Sequence, residues 1–375
     1  MKSLGIINTS LLSSDFVQHQ ETVDILGTKV TCGLVEVKQP AFDSSSAENL
    51  DYVLIHVDAF SCNYRDKALI VKAALRMEKD SHSSLPVSYF GSDFVGTVIA
   101  TGDGVEHLRK GMRVIPNCYY PYQEYDGIAT GVVTNEASKG WLKLHKSKVL
   151  EIPSKMSDVI AAAFSIGGQT SSSLIRRCMV KQSDRILVTS ARSNTSLFVI
   201  KSLLTKGNDV TALTTSEWSE EEKEFISPAK LVTIERGIRN WDHLFPDKFD
   251  VIIDPFYDLN LLNALPYLNF DGRYITCGFK NQHQTFCEAT DDLRTDRFDK
   301  LMVEAMIHNL YIIGNCIGTT EDLKSAIEDY EFNLPPIPIY QQLRVENGAQ
   351  FLDSTYNSQK RFGKVVMMYG RYFWE

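Results

Sequence analysis

The stretch Ile186-Leu187-Val188-Thr189-Ser190-Ala191-Arg192-Ser193-Asn194-Thr195-Ser196-Leu197-Phe198-Val199-Ile200 decides how this chain is read. Its apolar start predicts a buried strand, its small polar middle a tight turn, and its apolar end a helix. A strand, turn and helix of this outline holds a dinucleotide pyrophosphate at the helix N-terminus. Such turns carry small residues, chiefly glycine, at three positions spaced by three, and here those positions are Ser190, Ser193 and Ser196. Glycine serves there to permit positive φ, to let backbone approach phosphate, and to pack helix on strand. Serine keeps the small size and adds a hydroxyl, at a steric cost wherever φ must be positive. Standing alone, the stretch is a buried strand and helix joined by an ordinary serine-rich turn. The sequence on either side changes that reading.

Downstream, a second strand at Asp209–Leu213 runs into Thr214-Thr215-Ser216. Sheets that prefer NAD place an Asp or Glu there for the ribose hydroxyls. Hydroxyls take that place here, with Lys223 about a turn into the next helix and Arg192 in the first loop. Hydroxyls with a cation suit a 2′-phosphate, so NADPH is the expected cofactor. An acidic helix follows at Ser219–Phe225, with strands at Lys230–Ile234, Val251–Ile253 and Arg273–Cys277. Helix-like stretches at Asp158–Phe164 and Ser171–Cys178 precede the first strand, Arg185–Thr189, and the helix Thr195–Leu204 follows it. Strands alternating with helices predict a parallel, doubly wound sheet.

Upstream, residues 20–155 read differently, with short β-like runs at Lys29–Val37, Tyr52–Ala59, Gly96–Ala100 and Arg113–Pro116 between Ser/Asp/Gly clusters. These predict a compact, mostly antiparallel β domain. After residue 318 a helix at Glu321–Asp329, a connector Leu334-Pro335-Pro336-Ile337-Pro338 and a strand at Lys364–Tyr369 are expected. A Tyr-rich loop, Tyr119–Tyr125, interrupts the pattern with no assigned purpose.

At 375 residues the chain has room for two domains, and 43% hydrophobic with 23% charged residues is ordinary globular usage. The net charge of −8 comes without a Lys/Arg block, which argues against nucleic acid or an anionic membrane as partner. No apolar run approaches the roughly 20 residues needed to span a bilayer. Met1-Lys2-Ser3-Leu4-Gly5-Ile6-Ile7-Asn8 has too short an apolar core for a secretory signal. Seven scattered cysteines (32, 62, 118, 178, 277, 287, 316) form no disulfide framework, so a reducing, cytoplasmic setting is expected.

Four segments, in order, resemble the medium-chain dehydrogenase/reductase superfamily. Ala59-Phe60-Ser61-Cys62-Asn63-Tyr64-Arg65-Asp66 is similar to the Asn-(Tyr/Phe)-Arg-Asp segment of its enoyl-reductase and quinone-reductase branches. Phe90-Gly91-Ser92-Asp93-Phe94-Val95-Gly96-Thr97-Val98, with Gly102-Asp103-Gly104-Val105 and Lys110-Gly111-Met112-Arg113-Val114, is the second. Ala161-Ala162-Ala163 through Gly168-Gln169-Thr170 is the third, and Arg361-Phe362-Gly363-Lys364-Val365-Val366 resembles the closing strand. The resemblance implies an α/β protein: a GroES-like β domain over 1–157, a Rossmann nucleotide-binding domain over 158–318, and a return to the first domain over 319–375. It also implies an active site in the cleft between the domains.

Alcohol dehydrogenases of this superfamily hold a catalytic zinc with Cys or His from three segments. The positions that match are Asn63, Ser92 and Ile166, none a competent zinc ligand. Cys62 lies one residue out of register and Asp93 offers an oxygen, so a re-registered pair is the one alternative. Four closely spaced cysteines for a structural zinc are also lacking, and no metal is expected. The zinc-free branch implies reduction of an activated C=C bond or a quinone.

Asn63 matches an Asn placed beside nicotinamide and substrate oxygen, where an amide donor stabilises developing negative charge; the plain alternative is a turn cap. Tyr64 offers a phenolic proton or is simply packed at a strand–helix junction. Asp66 reads as an anchor ion-paired to Arg65, and Lys72, close to a lysine some enoyl reductases use, reads as a surface residue. Asp93 is a general acid if desolvation raises its pKa, or a buried carboxylate satisfied by backbone amides. Thr170 and Gly278-Phe279 match segments near the nicotinamide in the family.

The expected activity is therefore NADPH-dependent hydride transfer to an activated C=C bond of a small-molecule or peptide substrate. Two alternatives stand beside it: a lanthipeptide-type tailoring reductase converting dehydroalanine to D-alanine, and a cofactor-free binding protein derived from the superfamily. The first is compatible with the aromatic loop, the second with the three lost glycines. Oligomeric state stays open, with a homodimer among the options.

Overall fold

A computed structural model of the chain describes residues 1–12, 14–79, 85–235, 241, 243–279, 295–332 and 337–371. Leu334, Pro335 and Pro336 of the expected connector, and Cys287, lie outside the described residues. The chain divides into two compact units, Met1–Ile166 with Ile337–Glu375, and Gly167–Pro336. The sequence reading puts these boundaries at 158 and 319, and the division falls later at both. The second shift has a plain cause, because the helix Thr320–Phe332 is tied into the second unit. Arg176 Nε and Nη2 donate to the Asp322 carboxylate at 2.7 and 2.8 Å, and Gln169 Nε2 donates to the Thr319 carbonyl at 2.9 Å.

The first unit opens with β1 Lys2–Ile7, β2 Gln18–Ile25, β3 Thr28–Glu36, β4 Tyr52–Ser61, α1 Asp66–Lys79, β5 Val87–Ser88 and β6 Asp93–Thr101. It continues with β7 Arg113–Pro116, β8 Trp141–His145, β9 Val149–Glu151 and α2 Asp158–Ala161. The second unit carries α3 Ser165–Arg177, apart from its first two residues, which belong to the first unit, then β10 Arg185–Val188, α4 Asn194–Thr205, β11 Asp209–Thr214, α5 Glu220–Phe225 and β12 Lys230–Thr233. It goes on through β13 Phe249–Asp254, α6 Tyr257–Ala264, β14 Leu268–Thr276, α7 Thr295–Ile307, β15 Tyr311–Gly314 and α8 Thr320–Phe332. The chain then returns to the first unit as β16 Ile339–Arg344, α9 Gly348–Tyr356 and β17 Lys364–Met368.

In the first unit, one sheet has the order β2-β3-β1-β5 and a larger one β16-β17-β4-β6-β7-β9, with β8 also pairing β4. β4 is the axis of the larger sheet. Val53 to Ser61 are all buried, because β6, β8 and β17 all pair with it. Phe60 closes the core beneath it, packing on Phe351 of α9 at 5.4 Å and on Phe90 at 6.0 Å between ring centroids.

The second unit holds a six-stranded sheet of order β12-β11-β10-β13-β14-β15, every pair parallel. Numbered along the chain this is 3-2-1-4-5-6, the Rossmann order, which reverses between its first and fourth strands. The central strands β10 and β13 bury Ile186, Leu187, Val188, Val251 and Ile252 completely, as a strand covered on both faces must.

Candidate active site and cofactor loop

Three segments of the first unit meet in a buried polar cluster. The turn after β4 supplies Asn63, the start of β6 supplies Asp93 with Ser92 just before it, and β17 begins with Lys364. Asp93 is 0% and Lys364 1% exposed. Lys364 Nζ donates to Asn63 Oδ1 at 2.8 Å, to the Cys62 carbonyl at 3.1 Å and to Ser61 Oγ at 3.2 Å. It is also ion-paired to Asp93 Oδ2 at 3.2 Å. Asn63 Nδ2 donates to Asp93 Oδ2 at 2.8 Å and to Ser92 Oγ at 3.0 Å. Ser92 Oγ donates to Asp66 Oδ2 at 2.6 Å, an oxygen that also accepts the Asn63 backbone N–H at 2.8 Å. The other Asp93 oxygen accepts the Ile166 backbone N–H at 3.0 Å.

The three positions that match zinc ligands therefore do converge, but as members of a hydrogen-bonded ion-pair network. Asn63 brings an amide, Ser92 a hydroxyl and Ile166 a backbone N–H. Among the described residues no three His, Cys, Asp or Glu side chains gather as metal ligands. Both amide hydrogens of Asn63 and its oxygen are engaged, so a substrate oxygen reaches this amide only by displacing a partner. Asp93 is satisfied by one backbone amide plus Asn63 and Lys364. Asp66 pairs with Arg65 Nη1 at 3.0 Å, the anchoring role expected for it. Burial pushes the Asp66 carboxyl up, against the pull of Arg65 and its hydrogen bonds. Burial likewise holds the Cys62 thiol well above its ordinary range.

Tyr64 stays outside the cluster, 39% exposed, with Lys67 Nζ 4.5 Å above its ring. Lys72 is exposed on α1. Of the Tyr-rich loop, Tyr119 is buried while Tyr122 is 77% exposed.

In the second unit the serine loop lies where the strand order reverses. Ser190 has φ +48°, while Ser193 has φ −71° and ψ 147° as the N-cap of α4. The strained position is thus the first serine, not the middle one. Ser193 Oγ accepts the Ser196 N–H at 3.1 Å and donates to Ser196 Oγ at 2.9 Å. Ser196, 1% exposed, passes its hydroxyl hydrogen to the Thr189 carbonyl at 2.9 Å. The loop is held by its hydroxyls.

Beyond the cap, the N–H groups of Asn194 and Thr195 have no acceptor among the described residues. Asn194 Oδ1 is buried and also lacks a partner; a half-turn of this amide puts its NH2 there instead. Two open N–H groups and an orphaned amide at a helix start fit a phosphate. The loop residues Ser190, Arg192, Ser193, Asn194, Thr195 and Ser196 can therefore hold a dinucleotide pyrophosphate.

The second half of the expected cofactor pocket is rearranged. Thr214 is 2% exposed and its Oγ1 accepts the Trp218 Nε1–H at 3.1 Å, which takes it out of reach. Thr215 and Lys223 are exposed, Lys223 paired to Glu220 at 2.6 Å, while Ser216 is half-buried and donates its backbone N–H to Thr214 Oγ1 at 3.3 Å. Arg192 is held by Glu222, Nη2 to Oε1 at 2.5 Å and Nη1 to Oε2 at 3.0 Å. Thr170 is 6% exposed on α3, and Gly278 and Phe279 follow β14, Phe279 lying 6.1 Å from the Tyr257 ring.

Sequence reasoning missed a buried carboxylate at the end of β13. Asp254, 0% exposed, accepts hydrogen bonds from Thr189 Oγ1 at 2.6 Å, Asn260 Nδ2 at 2.9 Å, the Phe256 N–H at 2.9 Å and the Tyr274 hydroxyl. Burial pushes its carboxyl up against the pull of these donors. It ties the residue entering the serine loop to β13, α6 and β14. Lys364 and Glu222 were missed as well. A lone lysine in Gly363-Lys364-Val365-Val366-Met367 was the available signal, since a charge inside a buried strand must be paired.

Residues 49–148 match the alcohol dehydrogenase GroES-like domain family. No curated protein matches the sequence significantly. Solved structures match along most of the chain. A cobalt- and zinc-bound thermostable alcohol dehydrogenase from Pyrobaculum aerophilum has TM-score 0.69 at 19% identity, covering 89% of this chain and 94% of that one. A quinone oxidoreductase from Coxiella burnetii has TM-score 0.63 at 19% identity, with coverage of 89% and 94%. A crotonyl-CoA carboxylase/reductase in complex with NADP has TM-score 0.69 at 14% identity, with coverage of 92% and 91%. Residues 49–148 thus carry an alcohol dehydrogenase GroES-like segment, and along most of its length the chain shares its fold with alcohol dehydrogenases, a quinone oxidoreductase and a crotonyl-CoA carboxylase/reductase.

Proposed function

We propose that the chain is an NADPH-dependent reductase that adds hydride and a proton across an activated C=C bond. The observation that carries this reading is the α4 N-terminus, with two unpartnered N–H groups and the orphaned Asn194 atom at the strand-order reversal of a Rossmann sheet. Thr215, Ser216 and Lys223, with Arg192 nearby, support a 2′-phosphate. When bound, the nicotinamide supplies the hydride to the β-carbon. The α-carbon proton comes from Tyr64, whose ring is exposed, while Asn63, Asp93 and Lys364 form a fixed polar wall. Asn63, Ser92 and Ile166 offer no thiolate, imidazole or carboxylate where alcohol-oxidising relatives use zinc, which favours an already activated alkene over an alcohol. The substrate is a small molecule or a peptide.

Titration of tryptophan fluorescence with NADPH and with NADH tests the reading. Quenching by NADPH at least tenfold tighter than by NADH is expected, about 1.4 kcal/mol. Equal affinities would remove the phosphate argument. Quenching by neither would leave the cofactor-free binding protein as the better account.

A further inference from the structure

We propose that Glu222 sets the cofactor preference of this chain by competing with an adenosine 2′-phosphate for Arg192. The inference rests on the serine loop being a dinucleotide site, and it adds a residue that opposes phosphate to those that attract it.

Arg192 projects from the turn between β10 and α4 and meets Glu222 of α5 as a two-pronged pair, at 2.5 and 3.0 Å. Its Nη1 also donates to the Glu217 carbonyl at 3.1 Å, and the guanidinium lies 5.9 Å from the Trp218 ring centroid. Trp218 is fixed in turn by its indole N–H on Thr214. Glu222 is no mobile surface acid. Its Oε2 accepts the Ser219 N–H at 3.0 Å while Ser219 Oγ accepts the Glu222 N–H at 3.2 Å, a closed capping box. Side chains of the pair are only 17% and 16% exposed.

The cation best placed beside the end of β11 is thus already neutralised by a carboxylate that α5 holds in position. A guanidinium recognises carboxylate and phosphate with the same fork. A 2′-phosphate must therefore exchange with Glu222, and it does so among the further negative charges of Glu217, Glu220, Glu221 and Glu224. A 2′-hydroxyl meets no such cost, because it carries no charge and can donate to Glu222. The pair lowers discrimination for NADPH below what Thr215, Ser216, Lys223 and Arg192 would give unopposed.

Glu222→Gln removes the charge and keeps a side chain that closes a capping box, so α5 stays capped. In calorimetric titrations of the full chain, the variant is expected to bind NADPH about tenfold tighter and NADH within about twofold of wild type. The fragment 2′,5′-ADP should follow NADPH, which places the effect at the adenosine end. Adding Arg192→Met to Glu222→Gln should cancel the gain. Unchanged NADPH affinity, or equal changes for both dinucleotides, would overturn the role of Glu222 while leaving the cofactor loop in place. Binding of neither dinucleotide to wild type would overturn the loop reading and this inference together.

Discussion

Replacing Ser190 and Ser193 by glycine, one at a time, should move stability in opposite directions, and only the change at Ser193 should weaken cofactor binding. Ser190 holds φ +48°, a left-handed conformation that costs an L-residue roughly 1–2 kcal/mol relative to glycine. Glycine gives back about 0.5–1 kcal/mol through the freer unfolded chain. Ser190→Gly should therefore stabilise by about 0.5–1 kcal/mol. Ser193 has no strain to relieve at φ −71°. Its hydroxyl caps α4 through the Ser196 N–H and donates to Ser196 Oγ. Losing the cap to glycine costs a few tenths of a kcal/mol and losing the second hydrogen bond about 1. In a unit spanning Gly167–Pro336, a change of about 1 kcal/mol moves Tm by roughly 2–4 °C. Because the Ser193 hydroxyl also fixes the start of α4, its loss should weaken NADPH binding about fivefold, about 1 kcal/mol, whereas the Ser190 strain is present with and without cofactor and its relief should leave affinity within about twofold. Thermal unfolding and calorimetric NADPH titration read both. Tighter NADPH binding by Ser193→Gly, or destabilisation by Ser190→Gly, would refute the account of a loop rebuilt around its hydroxyls. Ser193→Leu should abolish NADPH binding with the fold intact, and wild-type binding by that variant would remove the cofactor from this loop.

Lys364→Met should destabilise by about 3–5 kcal/mol, because it leaves the 0%-exposed Asp93 carboxylate without its cation. Combining it with Asp93→Asn should recover much of that loss in denaturant unfolding, and strictly additive costs would show the pair is not coupled. Asp254 has a folded pKa raised above its ordinary 3.8, so its contribution is full below that value and is lost as pH rises through the folded pKa. Asp254→Asn should accordingly flatten the decline of stability above about pH 4; an unchanged pH profile would count against it. Elemental analysis of purified protein should find no stoichiometric zinc, given Asn63, Ser92 and Ile166 at the three positions; one tightly held zinc per chain would point instead to Cys62 and Asp93.

Local pattern carried the sequence reading a long way. The runs Ile186-Leu187-Val188 and Val251-Ile252-Ile253 are continuous and apolar because parallel strands are covered on both faces, so their class is written in consecutive residues. The acidic helix at Ser219–Phe225 and the strand Arg113–Pro116 are equally local. Helices α1, α6, α7 and α9 were missed.

What the sequence determined by itself was composition, element type and the small size of the serine turn, all properties of neighbours along the chain. The tertiary structure decided which charges meet. Lys364 lies 271 residues from Asp93, and Arg192 lies 30 from Glu222, and nothing in either interval records the pairing. Only folding brings these groups within hydrogen-bond range and removes the water that would otherwise screen them. That is why Arg192 reads as a phosphate ligand in sequence and meets Glu222 in space. It is also why strain sits at Ser190, since φ at each turn residue is set by how β10 and α4 are anchored.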